Sequence, residues 1–277
     1  MPKILVIGAT GNVGRPLVKD LIAKGEAVKA ASRSGKPVDG AEGVAFDIMK
    51  PDLDTLFAGV DRMFLMLPGG YSDSKGLLLP LVTAAAARGI KIVFQSAYGV
   101  NADDSIPYRQ VELAVEKAGV PYVILRPNWF ADNFHSFWKH GVTHGQISVP
   151  AANGTSSFID VRDIAASAAA ALTSSRFENR AFDLTGPAAL SYGEAAETLS
   201  GVLGRKIAYQ HMEPEQFVSV LTGAGLPADY AQFVTSLFHP VREGWSGGVT
   251  DHVMALTGRA PHSLRDYAQH NKAALLA

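Results

Sequence analysis

The sequence contains no cysteine in 277 residues. Disulfides, thiol nucleophiles and cysteine–zinc sites are therefore excluded, and the composition fits a reducing cytoplasm. An excess of charge of one sign is missing too: 25 Lys and Arg stand against 26 Asp and Glu, a formal net charge of −1. Binding a nucleic-acid backbone needs a basic surface, so nucleic acid is not expected as a partner. No apolar run reaches the roughly 20 residues that span a bilayer. No cationic leader with a cleavage site precedes the first apolar run, and a cytoplasmic location off the membrane is expected. Internal repeats and low-complexity tracts are absent. So are the G-x-S-x-G of serine hydrolases and the H-E-x-x-H of zinc peptidases. Hydrophobic residues make up 47% of the chain and charged ones 18%, which allows a sizeable core.

What is present begins at Ile4. Ile4, Leu5, Val6 and Ile7 form the short apolar, β-branched run of a strand buried on both faces of a parallel sheet. Gly8, Gly11 and Gly14 follow at intervals of three, and Pro16–Lys24 reads as a helix ended by Gly25. Strand, glycine turn and helix are the parts of a dinucleotide site. Gly8 permits the tight turn, Gly11 lets a diphosphate approach bare backbone, and Gly14 lets helix and strand pack closely. Thr10, Asn12 and Val13 complete the turn. The helix N-terminus offers unpaired N–H groups and a positive dipole end to phosphates.

The first half then alternates strand and helix. Strands are expected at 27–32, 44–46, 62–67, 90–95 and 120–125, with helices over 76–88 and 107–117. Such alternation implies right-handed crossovers and an α/β, doubly wound parallel Rossmann sheet. Residues 158–172 read as strand into helix and 181–184 as a further strand, both returning to the sheet. Ser191 and Glu194 match the S-x-x-E capping box and begin a helix to about Leu203. Helices are also expected at 214–222, after Pro227, at 251–257 and at 263–275. The expected organisation is a nucleotide-binding domain over 1–130, with 155–185 returning to it. A smaller, mainly helical substrate lobe is expected from 131–154 and 186–277.

The second strand selects the nucleotide. NAD-binding versions of this fold end that strand on an acidic residue that holds the ribose 2′-hydroxyl. Here it ends Ala30-Ala31-Ser32-Arg33-Ser34, with no carboxylate. Arg33 suits a 2′-phosphate through a charge-assisted fork, and Lys36 adds a second cation, so NADP(H) is the expected coenzyme. Asp47, followed by Ile48, is placed to accept from the adenine amine, or to cap the next helix. Ligands of open α/β sheets bind at the carboxyl ends of the strands. That puts Leu67, Pro68 and Gly69, then Gln95, Ser96, Ala97 and Tyr98, then Asn128, Trp129 and Phe130, along the expected nicotinamide path.

The opening Gly-Ala-Thr-Gly-Asn-Val-Gly, with Ala31-Ser32-Arg33, 119–130, 158–165, 184–187 and 256–261, resembles the NmrA-like branch of the atypical short-chain dehydrogenase/reductases. The resemblance spans nearly the whole chain. It implies the same fold, an NADP(H) cofactor, and either of two activities. Some members resemble NADPH-dependent reductases of quinones, azo dyes or triphenylmethane dyes. Others bind NADP and act as redox-sensing regulators through protein partners. Typical short-chain reductases place a Ser and a Tyr-x-x-x-Lys pair after the fifth strand, and Ser96 matches the serine. Aligned through Glu112 and Arg126-Pro127, however, Tyr108 falls at the lysine position and Asp104 at the tyrosine position. Tyr71-Ser72-Asp73-Ser74-Lys75 has the right spacing but follows the fourth strand, and reads as a polar loop entering a helix.

A missing acid favours acceptors that need little proton donation. A reduced quinone is a phenolate-like oxyanion whose conjugate acid has a pKa of about 10, and a cationic dye becomes neutral on accepting hydride. The primary expectation is thus an NADPH-dependent reductase of a flat, electron-poor, aromatic or quinoid small molecule, or of a natural-product intermediate. Ser96, Tyr98, Tyr108, Asn128 and His135 are candidates for polarising it. Tyr98, Trp129, Phe130, Phe134, Phe137 and Trp138 are candidates for stacking, with core packing as their alternative. His135, His140 and His144 match no zinc pattern, so no metal is expected. Asp163 reads as an N-cap. Pairing of exposed helices into a homodimer is compatible with such folds.

Overall fold

A computed structural model describes residues 2–277. In chain order the elements are β1 (Lys3–Ile7), α1 (Gly14–Ala23), β2 (Val28–Ser32), β3 (Glu42–Ala45), α2 (Leu53–Phe57), β4 (Val60–Leu65), α3 (Ser74–Ala86), β5 (Lys91–Gln95), α4 (Pro107–Glu116) and β6 (Tyr122–Pro127). Then come α5 (Lys139–Thr143), β7 (Gln146–Val149), β8 (Thr155–Ser156), α6 (Val161–Thr173), β9 (Arg180–Leu184), β10 (Leu190–Ser191), α7 (Tyr192–Leu203) and β11 (Ala208–His211). Six helices finish the chain: α8 (Pro214–Gly223), α9 (Ala228–Ser236), α10 (His239–Arg242), α11 (His252–Thr257), α12 (Leu264–His270) and α13 (Lys272–Leu276).

The chain divides into two compact units. The first holds the chain up to Pro127 together with Val161–Leu184 and His252–Arg259. Its sheet has seven strands in the order β3-β2-β1-β4-β5-β6-β9, and every pairing is parallel. The reversal of direction lies at β1, flanked by β2 and β4, which is where a doubly wound sheet opens a ligand crevice. Ile4, Leu5, Val6 and Ile7 are fully buried, as expected for a strand covered on both faces.

The second unit holds Asn128–Asp160, Thr185–Asp251 and Ala260–Ala277. It contains two small sheets, antiparallel β10-β8 and parallel β11-β7. Its helices surround an aromatic core in which Trp138, Phe158, Tyr192 and Phe238 are buried. The capping box that opens α7 is formed as the sequence predicts, with Ser191 and Glu194 bonded reciprocally.

Three expectations are corrected. Residues 158–160 add no strand to the large sheet. Phe158 instead packs on Phe134 and Tyr192, each with ring centroids 5.3 Å away, and Ile159 makes an isolated bridge to Phe130. Residues 252–259, expected in the second lobe, belong to the first unit. His252 Nδ1 accepts from the backbone N–H of Asp183 at 3.0 Å, and Arg259 donates to Asp163 at 2.7 Å. That bond also replaces the N-cap read for Asp163, which lies inside the first turn of α6. Finally, 263–275 is two helices: α12 ends at Asn271, whose side-chain amide donates back to the Tyr267 carbonyl at 3.1 Å.

Candidate functional site

The crevice at β1 is built from backbone first. Gly8 adopts φ +73°, the left-handed region that a residue without Cβ enters freely. Its carbonyl accepts from the Gly11 N–H at 2.9 Å, closing the turn. A Cβ on Gly14 would lie 2.1 Å from that same carbonyl oxygen, so only glycine lets α1 start so close to β1. Among the described residues the amides of Asn12 and Val13 donate to no group. They join the orphan donors of the first helical turn and face the positive end of the α1 dipole.

Gly8, Thr10 and Gly11 line a cleft with Arg33, Asp47, Ile48 and Pro68. All seven were singled out from the sequence. Arg33 is exposed and forms no ion pair or hydrogen bond with any described residue. Asp47 caps no helix; its carboxylate accepts from the Met49 N–H at 3.0 Å in a local turn, and Asp52 caps α2 instead. Lys36 is exposed beyond the cleft and Leu67 is packed into the core of the first unit. Gln95 ends β5; its side chain is buried, and its Oε1 accepts no hydrogen bond. The sequence reading missed Ser32, Phe46, Met66 and Tyr71 on the cleft wall. A crossover turn with free amides, a nearby guanidinium and an orphaned buried oxygen at a strand's carboxyl end fit a phosphorylated dinucleotide.

The segment where short-chain reductases keep their Tyr/Lys pair is occupied by an ion-pair network. Arg126 forks onto Glu112, with both N–H···O distances 2.8 Å. Arg109 also donates to Glu112, at 2.9 Å, and to Asp104, at 3.0 Å. Burial pushes the Glu112 carboxyl up, but Arg126, together with Ser96 and Arg109, outweighs it and holds it below the usual carboxylate range. Ser96 lies buried beside Glu112, though its hydroxyl makes no hydrogen bond of standard geometry. Tyr108 is half-buried and stacks on Phe94, ring centroids 6.3 Å apart and planes 12° apart. Burial, reinforced by the Asp183 charge, raises the Tyr98 phenol above its ordinary value.

In the second unit Asn128 spends its hydrogen-bonding capacity on the protein. Its amide donates to Ser157 Oγ at 2.7 Å and to the Ser246 carbonyl at 2.8 Å, while its oxygen accepts from the Trp129 N–H at 2.8 Å. Ser157 in turn donates to the Gly248 carbonyl at 2.7 Å, so the pair pins residues 246–248. His135 Nδ1 lies 2.5 Å from the Tyr267 hydroxyl, a partner that sequence reasoning missed. Burial lowers the imidazole, with Asp160 opposing. Burial, with Asp132 and Asp160, raises the Tyr267 phenol far above its usual value. These shifts keep both groups neutral at pH 7, so the two share a hydrogen bond between neutral partners whose donor is set by the imidazole tautomer.

Of the aromatic candidates, Phe134 and Trp138 are core, Trp129 and Phe130 are half-buried, and Phe137 is exposed. His140 and His144 lie with ring centroids 4.1 Å apart and planes tilted by 35°. Among the described residues no three His, Asp or Glu side chains converge as a metal site, and no helix is long and apolar enough to cross a membrane.

Comparison with known proteins places these features. The chain is 32% identical over 269 residues to the uncharacterized oxidoreductase YesF of Bacillus subtilis, covering 96% of this chain and 93% of that protein. It is 31% identical over 283 residues to an NAD(P)H azoreductase of Xenophilus azovorans, covering 98% of each. In fold it matches the Citrobacter sp. triphenylmethane reductase complexed with NADP(H), with a TM-score of 0.81 at 24% identity over 96% of this chain and 99% of that one. The Escherichia coli NADPH-dependent quinone oxidoreductase QOR2 gives a TM-score of 0.82 at 21% identity, covering 96% and 99%. Residues 2–255 match the model of the NmrA-like family, and with that extent of agreement the chain belongs to the NmrA-like family.

Proposed function

We propose that this protein passes hydride from NADPH to a conjugated, electron-poor small molecule of the quinone, azo or triphenylmethane type. At the coarser level, a chain of this family with an NAD(P)H azoreductase among its full-length relatives is an NAD(P)H-dependent oxidoreductase. The preference for the phosphorylated coenzyme is carried by Arg33, an exposed guanidinium without a protein partner on the wall of the glycine-turn cleft, where NAD-dependent folds put a carboxylate. The amides of Asn12 and Val13 suit the diphosphate. When bound, NADPH supplies the hydride.

The acceptor class follows from what the chain does not offer. Asp104, at the position of the catalytic tyrosine, is held by Arg109, and Tyr108, at that of the lysine, stacks on Phe94. Neither is set up as a proton donor for an alkoxide. Tyr98 is a weak acid, its phenol raised by burial. A ketone would therefore be a poor substrate. An acceptor whose reduced form is a stabilised oxyanion, or a neutral molecule, needs only to be positioned, and proximity and orientation supply the rate. The test is NADPH oxidation with menadione, an azo dye and crystal violet in turn. Steady oxidation with at least one supports the reading. Tight NADPH binding with no oxidation by any of them refutes turnover and leaves a redox-sensing regulator.

A further inference from the structure

By sequence, residues 71–75, which follow β4 and lead into α3, read as a polar loop, and the site described above puts Tyr71 on the cleft wall without assigning it a contact. Tyr71 lines the coenzyme cleft from the same segment as Met66, Pro68 and Gly69. Its ring is half-buried and packed against the cluster that holds Phe46, Ile48 and Leu67. Its hydroxyl bonds to no described residue. The loop is fixed at one end by the Asp73 cap on α3, which accepts from the Gly76 N–H at 2.7 Å. At the other end Gly70 takes φ +92°, a turn that sets the direction in which residue 71 leaves the sheet.

The cleft has three kinds of wall. Gly8, Thr10 and Gly11 present backbone, which suits a diphosphate. Arg33 presents a cation, which suits a 2′-phosphate. Beside Ser32 and the carboxylate of Asp47, the rest is mainly apolar, and Phe46, Ile48 and Tyr71 supply its bulky side chains. The one flat, apolar-faced part of a phosphorylated dinucleotide near its 2′-phosphate is the adenine base. We infer that Tyr71 is a coenzyme-contacting residue whose ring stacks on the adenine, and that it determines affinity through the adenosine half. The inference rests on the coenzyme reading above. Stacking on an aromatic side chain is sensitive to the flat ring and indifferent to its hydroxyl.

The probe is 2′,5′-ADP, the adenosine half alone, titrated by calorimetry into the full chain and three variants. Tyr71→Leu keeps an apolar side chain against Phe46 and Ile48 but removes the flat face; it should weaken binding about tenfold. Tyr71→Ala should do at least as much, and Tyr71→Phe should bind within about twofold of the unaltered chain. A melting temperature for each variant verifies that the loop change has not unfolded the domain. Equal binding by the Leu and Phe variants overturns the inference while the coenzyme reading stands. Failure of the unaltered chain to bind 2′,5′-ADP overturns both.

Discussion

Replacing Arg33 with alanine separates the two nicotinamide coenzymes. Arg33 is exposed and holds no protein partner, so its loss leaves no buried orphan and should not affect the fold. The cost falls on whatever the guanidinium binds. A hydrogen bond to a charged group contributes roughly 1.5–3 kcal/mol, and an exposed site lies toward the lower end because water and salt screen it. At 1.4 kcal/mol per factor of ten, NADPH should bind about 10- to 100-fold more weakly, while NADH, without the 2′-phosphate, should change by no more than about twofold. Arg33→Lys should recover part of the loss, since it restores the charge without the planar fork. Raising the salt from low to physiological levels should narrow the difference. The assay is fluorescence or calorimetric titration of both coenzymes into both proteins. An equal loss for NADPH and NADH would refute the placement of the 2′-phosphate at Arg33.

Three further changes probe the scaffold. Glu112→Gln strips the charge from a buried pair and leaves Arg126 only its longer contact with Asp183, at 3.5 Å, so unfolding in denaturant should show a loss of about 3 kcal/mol at neutral pH. Because the folded Glu112 titrates below its ordinary 4.5, its contribution is complete above that pH and is lost as the pH falls through the lower folded value. The gap between the two proteins should therefore shrink in acid, and a gap that grows there contradicts the pairing. Gly14→Ala places a Cβ against the Gly8 carbonyl; a loss of about 3 kcal/mol or more is expected, with weakened coenzyme binding, and unchanged melting and binding would count against the close approach. Asn128→Ala frees the Trp129 N–H and the carbonyl of Ser246, so a loss of about 2–4 kcal/mol is expected. A variant as stable as the parent but inactive would instead make Asn128 a substrate-facing group.

The legibility of this chain tracks the range of the interactions involved. Gly8, Gly11 and Gly14 could be read because each answers a local steric demand, and Ser191 with Glu194 because a capping box closes within one turn. Arg33 stood out because a single position in the fold decides between a hydroxyl and a phosphate. Longer-range features were hidden. Phe158 and Ile159 have the composition of a strand, yet the aromatic ring of Phe158 was claimed by Phe134 and Tyr192. His135 was visible as a polar group, but its partner Tyr267 lies 132 positions away, beyond any spacing rule. Tyr71 could be seen only as a mismatched Tyr-x-x-x-Lys, because nothing local reveals that its loop returns to the cleft. The departure at Asp104 and Tyr108 was readable, but the arginine network that fills their neighbourhood was not, since it joins α4 to β6 and β9 through side chains.

A crystal structure of the chain with bound NADP(H) is the most direct measurement. The diphosphate should lie on the amides of Asn12 and Val13, with the 2′-phosphate within hydrogen-bonding distance of the Arg33 guanidinium. A coenzyme bound elsewhere, or one whose adenosine ribose turns away from Arg33, would contradict the account.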